Sequence, residues 1–293
     1  PKTTKVIESV DETNNIATIY LIRRNTKINV EKQWTSPEHK EQEVTVQLQR
    51  RKSEQDLWKT VENATLNEQN QWKHSFNPDA YYEIPSNKAG LSKTWKYRVV
   101  EVDANGKVIE DGQNITINNH NYQVGNRFDT EKQTWVITNT RLLDLTVSKV
   151  VKGKNGDRTK EFIFDIEAKN SDESALNGKY NYIESIKAGF ESQSQKPEDG
   201  TLDFKNGKAQ IKLKHGQQIL IKNLPVNTQI TVTEQNVKGY QTSYTVNEKH
   251  QATGKLTLVE DSMVDVVNEK SDIAATGITD SMGGIGAGLG VVV

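Results

Sequence analysis

The chain has 293 residues, and its 38 Lys and Arg against 39 Asp and Glu give a formal net charge of −1. Proteins that bind nucleic acids by neutralising phosphates need a basic excess, so this balance excludes that class of partner. The sequence contains no cysteine, which excludes disulfides, thiolate metal sites and a cysteine nucleophile. Its 5 histidines do not stand at metal-ligand spacing from one another, and we expect neither a metal nor another cofactor.

Strand-like patterns dominate the chain. No stretch of a dozen residues keeps a helical period between capping residues, whereas Asn-Gly pairs, which are typical of type I′ hairpin turns, stand between apolar runs. The sequence therefore predicts an all-β fold of β-sandwiches. Apolar and polar residues alternate with a period of two over residues 26–34, 43–50, 95–103, 134–140, 143–151, 161–168, 208–214 and 217–222.

A repeated transition between strands sets the predicted domain limits. One strand ends at Arg141 and the next begins at Leu143, and similar sequences lie just before Ile28 and just after Val264. We predict that residues 1–25 are the last strands of a truncated preceding domain and that residues 271–293 form a tail. Residues 26–141 and 142–270 are predicted as two complete domains, which lie end to end because almost no linker separates them.

Each of the two predicted domains carries a lysine, a glutamate and an asparagine in the same order. Residues two apart on a strand share a face, and the neighbours of all six residues on that face are apolar. Burying a lone charge is costly unless it is paired or neutralised. The six residues are Lys32, Glu101 and Asn139 in the first domain and Lys149, Glu234 and Asn268 in the second.

Two interpretations of these residues remain open on the sequence alone. In the first, the side chains reach solvent near strand ends, or the lysine and glutamate form an ordinary buried ion pair. In the second, burial disfavours the charged forms of the amine and the carboxyl. A neutral lysine then attacks the asparagine carboxamide, while a protonated glutamate polarises the carbonyl and transfers the proton. Ammonia leaves and an amide bond remains. The reaction runs once, so the chain is expected to mature itself and not to be a turnover enzyme.

The surrounding motifs resemble a known family. In the first domain, Val-Glu-Lys-Gln-Trp (30–34), Tyr-Arg-Val-Val-Glu (97–101) and Ile-Thr-Asn-Thr (137–140) resemble the B-type (Cna B-like) repeat of Gram-positive collagen adhesins. The second domain is similar to the C-terminal domain of sortase-assembled major pilins. Its matching segments are 145–149, 207–213, 216–217, 223–225, 233–234 together with 239–240, and 267–270. The segment 234–240 is similar to the pilin E-box.

The resemblance implies a fold, a chemistry and a location. The fold is a tandem of Ig-like sandwiches, with isopeptide cross-links joining Lys32 to Asn139 and Lys149 to Asn268. Glu101 acts as the acid and base of the first cross-link, and Glu234 has that role in the second. The expected protein is a structural pilin subunit or adhesin stalk on the outer surface of a Gram-positive bacterium, anchored to the cell wall and serving host attachment or mechanical display.

The tail resembles a cell-wall sorting signal of the pattern Leu-Pro-x-Thr-Gly, which a sortase cuts between Thr and Gly. Ala274 stands where the pattern has proline, and the alternative is a chance Thr-Gly pair in a flexible tail. The partners implied are a sortase, neighbouring pilin subunits or peptidoglycan, and a host matrix ligand. The residues of the segment are Ile273, Ala274, Ala275, Thr276 and Gly277.

Two other functions remain as alternatives. One is the stalk of a wall-anchored adhesin that never polymerises. The other is a module that binds carbohydrate or matrix through exposed aromatic side chains. Against the second, Trp34 and Trp135 fall in the inward phase of their predicted strands, so we expect packing in the core or on the strand surface and not a sugar-binding platform.

Overall fold

The computed structural model describes residues 3–11, 13, 16–23, 25–36, 43–83, 93–190 and 198–270. These residues form strands and turns and no helix, which confirms the predicted all-β fold. Consequently, no helix within the described ranges is long and apolar enough to cross a membrane. The sorting-signal-like segment 273–277 lies outside the described residues.

The first two strands pair only with each other among the described strands. They form an antiparallel hairpin, β1 (Thr3–Asp11) and β2 (Ile16–Arg23).

Ten strands and the beginning of an eleventh build the first sandwich. One sheet has the order β10-β9-β4-β5 and the facing sheet has the order β6-β3-β13-β12-β11, while β7 and β8 pair separately. Buried apolar side chains such as Val46, Phe76 and Ile137 fill the space between the sheets. The strands are β3 (Ile28–Trp34), β4 (Glu43–Arg51), β5 (Lys59–Asn67), β6 (Lys73–Phe76), β7 (Tyr81–Glu83), β8 (Lys93–Thr94), β9 (Lys96–Val102), β10 (Val108–Ile109), β11 (Asn114–Ile117), β12 (His120–Asp129) and β13 (Thr134–Lys152).

The end of β13 and ten further strands build the second sandwich. Its sheets have the orders β17-β14-β19-β22 and β16-β15-β18-β13-β23-β20-β21, and they enclose a separate apolar core that includes Val147, Phe164 and Val264. The further strands are β14 (Phe162–Lys169), β15 (Gly178–Ile186), β16 (Gly200–Phe204), β17 (Lys208–Leu213), β18 (Gln217–Pro225), β19 (Gln229–Glu234), β20 (Gln241–Val246), β21 (Lys249–Gln251), β22 (Gly254–Thr257) and β23 (Ser262–Glu269).

Strand β13 runs without interruption through both sandwiches. Its first part pairs with β3 and β12, and its second part pairs with β18 and β23. The predicted break between residues 140 and 143 is therefore wrong. The chain stays extended there because the second sandwich supplies partners, with the Val226 N–H donating to the Arg141 carbonyl at 2.8 Å and Leu142 pairing with Pro225.

The Asn-Gly pairs do not all form the turn that the sequence predicts. Only Asn206 and Gly207 both have positive φ, of 50° and 76°, as a type I′ turn requires. A Cβ atom on Gly207 would lie 2.7 Å from the Ala168 carbonyl oxygen, so glycine is also needed for space. The prediction is wrong for the other three pairs. At Asn105-Gly106, for example, the Asp103 carboxylate accepts backbone N–H groups of Asn105 and Lys107 and shapes a longer turn.

Candidate cross-linking sites in the two sandwiches

The same strand register brings lysine and asparagine together in both sandwiches. Strand β13 is a parallel neighbour of β3, and Lys32 stands opposite Ile137, so Asn139 is the next inward-facing residue along. Strand β23 is likewise a parallel neighbour of β13, and Lys149 stands opposite Val266, so Asn268 is the next inward-facing residue. In each case the lysine lies on the first strand of its sandwich and the asparagine on the last.

The glutamate of each triad comes from the facing sheet. In the first sandwich, Glu101 on β9 bridges the other two side chains. The Lys32 Nζ donates to its Oε2 at 2.9 Å, and the Asn139 Nδ2 donates to its Oε1 at 3.0 Å. One carboxylate therefore contacts both the amine and the carboxamide nitrogen across the core.

The second sandwich repeats this bridge. Glu234, on β19 of the facing sheet, accepts the Lys149 Nζ at its Oε2 and the Asn268 Nδ2 at its Oε1, both at 2.5 Å. The structure thus brings together all six residues predicted from the sequence, as two separate groups of three.

Both lysines are removed from solvent. The side chains of Lys32 and Lys149 are 0% exposed, and their Nζ atoms lie 4.7 Å from the centre of the Trp34 ring and 4.4 Å from that of Phe162. This burial lowers the pKa of each lysine from 10.5 to about 8, although the charge and hydrogen bond of its glutamate act in the opposite direction. The interpretation in which these side chains reach solvent is therefore wrong. A fraction of each lysine amine is therefore uncharged near neutral pH, as nucleophilic attack requires.

The glutamates contact a different atom of the carboxamides than the sequence argument expects. A glutamate that polarises the carbonyl would touch Oδ1, yet both carboxylates accept hydrogen bonds from Nδ2. The Oδ1 atoms of Asn139 and Asn268 are buried and have no hydrogen-bond partner. Each glutamate is therefore placed to carry a proton from the amine to the nitrogen that would leave.

Two further side chains hold the second site and have no counterpart among the predicted residues. The Tyr244 hydroxyl accepts the Glu234 backbone N–H at 3.0 Å, and the His215 Nδ1 accepts the Val151 N–H at 2.9 Å, two residues beyond Lys149. Tyr244 fits the inward phase of an ordinary core strand, so no pattern in the sequence marks it. The described residues include no group of three or more His, Asp or Glu side chains arranged to hold a metal ion.

Comparisons with known proteins relate parts of this chain to a family and to proteins of bacterial pili. Residues 143–270 match a family described as a domain of unknown function (DUF7601). A stretch of 138 residues, 46% of this chain, is 33% identical to the pilus tip adhesin Cpa of Streptococcus pyogenes. The chain covers only 18% of the length of that adhesin.

Two solved structures are also similar to this chain. A structure of the pilus-presented adhesin Cpa is 28% identical, covers 46% of this chain and 30% of its own, and has a TM-score of 0.36. The major pilin of Streptococcus pyogenes is 17% identical, covers 84% of this chain and 98% of its own, and has a TM-score of 0.41. With both TM-scores below 0.5, neither structure adds to the sequence relationship. That relationship agrees with the predicted resemblance: a stretch of 138 residues of this chain is similar to one pilus tip adhesin of Streptococcus pyogenes.

Proposed function

We propose that this chain belongs to a structural protein of the Gram-positive cell surface, a pilus subunit or adhesin stalk, and that each sandwich cross-links itself through a Lys–Asn isopeptide bond. The observation that carries the proposal is the repeated buried bridge of lysine, glutamate and asparagine between two parallel neighbouring strands. An ordinary buried ion pair does not require a carboxamide next to the carboxylate. A carboxylate that transfers a proton from the amine to the carboxamide nitrogen must contact both groups, as each glutamate does. The proposed domains are residues 26–141 and 142–270.

The chemistry follows from the contacts in the first sandwich. The neutral Lys32 amine attacks Cγ of Asn139, so that an Nζ–Cγ bond forms and the Cγ–Nδ2 bond breaks. Glu101 takes a proton from Nζ and gives one to Nδ2, which leaves as ammonia, and the carboxyl group returns to its initial state. In the second sandwich, Lys149 and Glu234 act in the same way. The reaction occurs once per site, so the chain is a self-modifying structural protein and not a turnover enzyme.

Cross-linking would stabilise both sandwiches. Each bond joins the first strand to the last and closes a loop of roughly 100 residues, for which the loop-entropy model of disulfides gives about 4–5 kcal/mol. An amide, unlike a disulfide, is not reduced, which suits a cell-surface protein without cysteine.

The intact mass of the full chain tests the proposal. We expect a deficit of two ammonia molecules in the unaltered chain and of one ammonia in either Glu101→Ala or Glu234→Ala. Glu110→Ala is the matched control, because Glu110 pairs with Arg98 at the surface and its loss should leave both deficits in place. A mass equal to that of the plain sequence would contradict the mechanism.

Assembly on the cell surface is part of the same proposal. We propose that residues 273–277 are read by a sortase, which joins the chain to neighbouring pilin subunits or to peptidoglycan. In cells that contain the sortase, polymerisation predicts a ladder of covalent multimers that survives boiling in detergent. A single wall-bound species would instead support the stalk that never polymerises.

A second candidate function, binding of a carbohydrate or matrix ligand, is favoured by one cavity in the first sandwich. The cavity has a volume of about 460 Å³, and Trp95, Trp135, Tyr81 and Phe128 are among its lining residues. Trp135 is partly buried and packs against the core, as Trp34 does, which agrees with the expected packing in the core or on the strand surface. Saturable binding of the full chain to a glycan or collagen array, abolished by Trp95→Ala, would support this function.

A further inference from the structure

The two glutamates are held by their backbones in different ways. Glu101 lies within β9 and has a strand on each side, since it pairs with Val46 of β4 and Ile109 of β10. Two ladders therefore fix its main chain, and through it the point from which the carboxylate extends.

Glu234 is the last residue of β19 and has a strand partner on one side only. On the β14 side, Glu234 stands opposite Phe164. The next residue, Gln235, donates its N–H to the Ile163 carbonyl. Because bonded and non-bonded pairs alternate along an antiparallel ladder, the Glu234 N–H faces the other side. There, the pairing with β22 ends at Val232 and Gly254, so the strand leaves this N–H without a backbone acceptor.

Tyr244 supplies the missing acceptor from the opposite sheet. It lies on β20, pairs with Val266 of β23, and is 9% exposed. Its ring crosses the core, and its hydroxyl oxygen accepts the Glu234 N–H at 3.0 Å. Burial raises the pKa of Tyr244, so the hydroxyl stays neutral. The hydrogen bond therefore ties the glutamate backbone to the sheet that carries Lys149 and Asn268.

Gly254 provides the space that this crossing requires. A Cβ atom at that position would lie 3.2 Å from Cδ1 of Tyr244 and 2.5 Å from the Val232 carbonyl oxygen. Only a residue without a side chain allows the aromatic ring and the end of the β19–β22 ladder to lie so close together.

We propose that Tyr244 is a positioning residue for Glu234, which it holds where one carboxylate can bridge the amine and the carboxamide of the second sandwich. The inference rests on the proposed cross-linking function. It also makes the second site dependent on a hydroxyl group that the first site does not need.

The test compares the two sandwiches within one molecule. The full chain is made and kept in denaturant, so that it has never folded and has not reacted. It is then refolded and quenched at intervals, and the two cross-linked peptide pairs are quantified after digestion. In Tyr244→Phe, we expect the rate in the second sandwich to fall by about 10-fold or more relative to the first, because small displacements of reacting groups slow reactions strongly. The first sandwich is the internal reference.

A pH profile separates positioning from a general loss of stability. The contact with Glu234 raises the pKa of Lys149 against the effect of burial, so a looser contact lowers that pKa. The midpoint of the rate profile of the second sandwich should therefore move to lower pH in Tyr244→Phe. Tyr240→Phe is the matched control, since the Tyr240 hydroxyl accepts the Asp157 N–H at 2.8 Å and not that of Glu234, and the substitution keeps the ring that packs on Phe162. It should change neither the rate ratio nor the midpoint.

Three outcomes would overturn the role of Tyr244: an unchanged rate ratio in Tyr244→Phe, an equal fall in Tyr240→Phe, or rapid hydrogen exchange of the Glu234 amide in the unaltered, folded chain. The exchange measurement needs no variant, so it decides the question even if Tyr244→Phe does not fold. Absence of ammonia loss in the unaltered chain would instead contradict the proposed function itself.

Discussion

The two sandwiches place the same three groups in contact within different surroundings. In the first, an indole ring lies against Lys32, and Glu101 is fixed between two strands. In the second, a phenyl ring lies against Lys149, and Glu234 ends its strand. What the two share is the register of two parallel strands and a carboxylate from the facing sheet. This comparison indicates that the site depends on strand register first and on its aromatic neighbours second.

Removing each asparagine in turn is expected to have the largest effect. All five tryptophans lie within residues 26–141, so tryptophan fluorescence follows the first sandwich alone. Asn139→Ala should lower its free energy of unfolding by about 4–5 kcal/mol, because the cross-link is lost. Asn268→Ala should lower the free energy of unfolding of the second sandwich by the same amount, and hydrogen exchange in β14 measures that change. If guanidinium titrations of both variants show a change in unfolding free energy below about 1 kcal/mol, neither bond forms. Asn105→Ala, in an exposed turn, is the control.

The rate of cross-linking should depend on pH in the same way at both sites. The pKa of each lysine is lowered to about 8, so the neutral amine increases as the pH rises through that value. The rate at pH 6 should then be about 100-fold below its plateau. Refolding at a series of pH values, with both cross-linked peptides quantified, measures the two midpoints. Midpoints near the ordinary lysine value of 10.5 would contradict the buried-amine mechanism.

A substitution at the junction tests whether the sandwiches are coupled. Leu142 is buried at 5% exposure in the middle of β13 and beside a polar cleft that includes Lys222 and Asn223. Leu142→Ala should destabilise the protein by about 2 kcal/mol, at the low end for such a change because the cleft is open. The tryptophan signal and the exchange in β14 should both respond. Leu57→Ala, at an exposed position, is the control, and a response confined to one sandwich would show that β13 does not couple them.

The smallest effect is expected from His215, in the second sandwich. Burial, with a further contribution from Arg158, lowers its pKa below 6.5, and the neutral ring accepts the Val151 N–H. The stabilisation is therefore complete above pH 6.5 and is lost as the pH falls through the lowered value. His215→Asn keeps a hydrogen-bond acceptor that does not titrate. Between pH 7 and pH 5, this variant should therefore lose roughly 1 kcal/mol less stability than the unaltered chain. Urea titrations at pH 7 and pH 5 measure the difference, and His250→Asn should match the unaltered chain.

The sequence predicted the fold class and the composition of both triads because both depend on alternation. A period of two places Lys32, Glu101 and Asn139 on the inner face whatever the loops do, and the same holds in the second sandwich. The cross-links, the domain limits and the sorting segment remain predictions. The structure adds the register that brings the lysine of one strand next to the asparagine of another.

Other features depend on contacts that no local pattern contains. The continuity of β13 past Arg141 relies on the distant Val226 N–H, so the sequence predicted two strands. The side of each carboxamide that meets the glutamate is set by side-chain rotamers in the packed core. Tyr244 forms a hydrogen bond with a residue in the opposite sheet, and a buried aromatic residue on a strand does not by itself indicate such a hydrogen bond.

Strand β13 has a mechanical consequence once both bonds have formed. It contributes Asn139 to the first bond and Lys149 to the second, so a tensile load entering at Lys32 passes along only about ten residues of strand before it leaves through Asn268. That stretch is already extended at about 3.3 Å per residue and has almost no contour length to release. Under tension, the pair of sandwiches would behave as an inextensible tether, and the strands outside this short covalent route would carry none of the load.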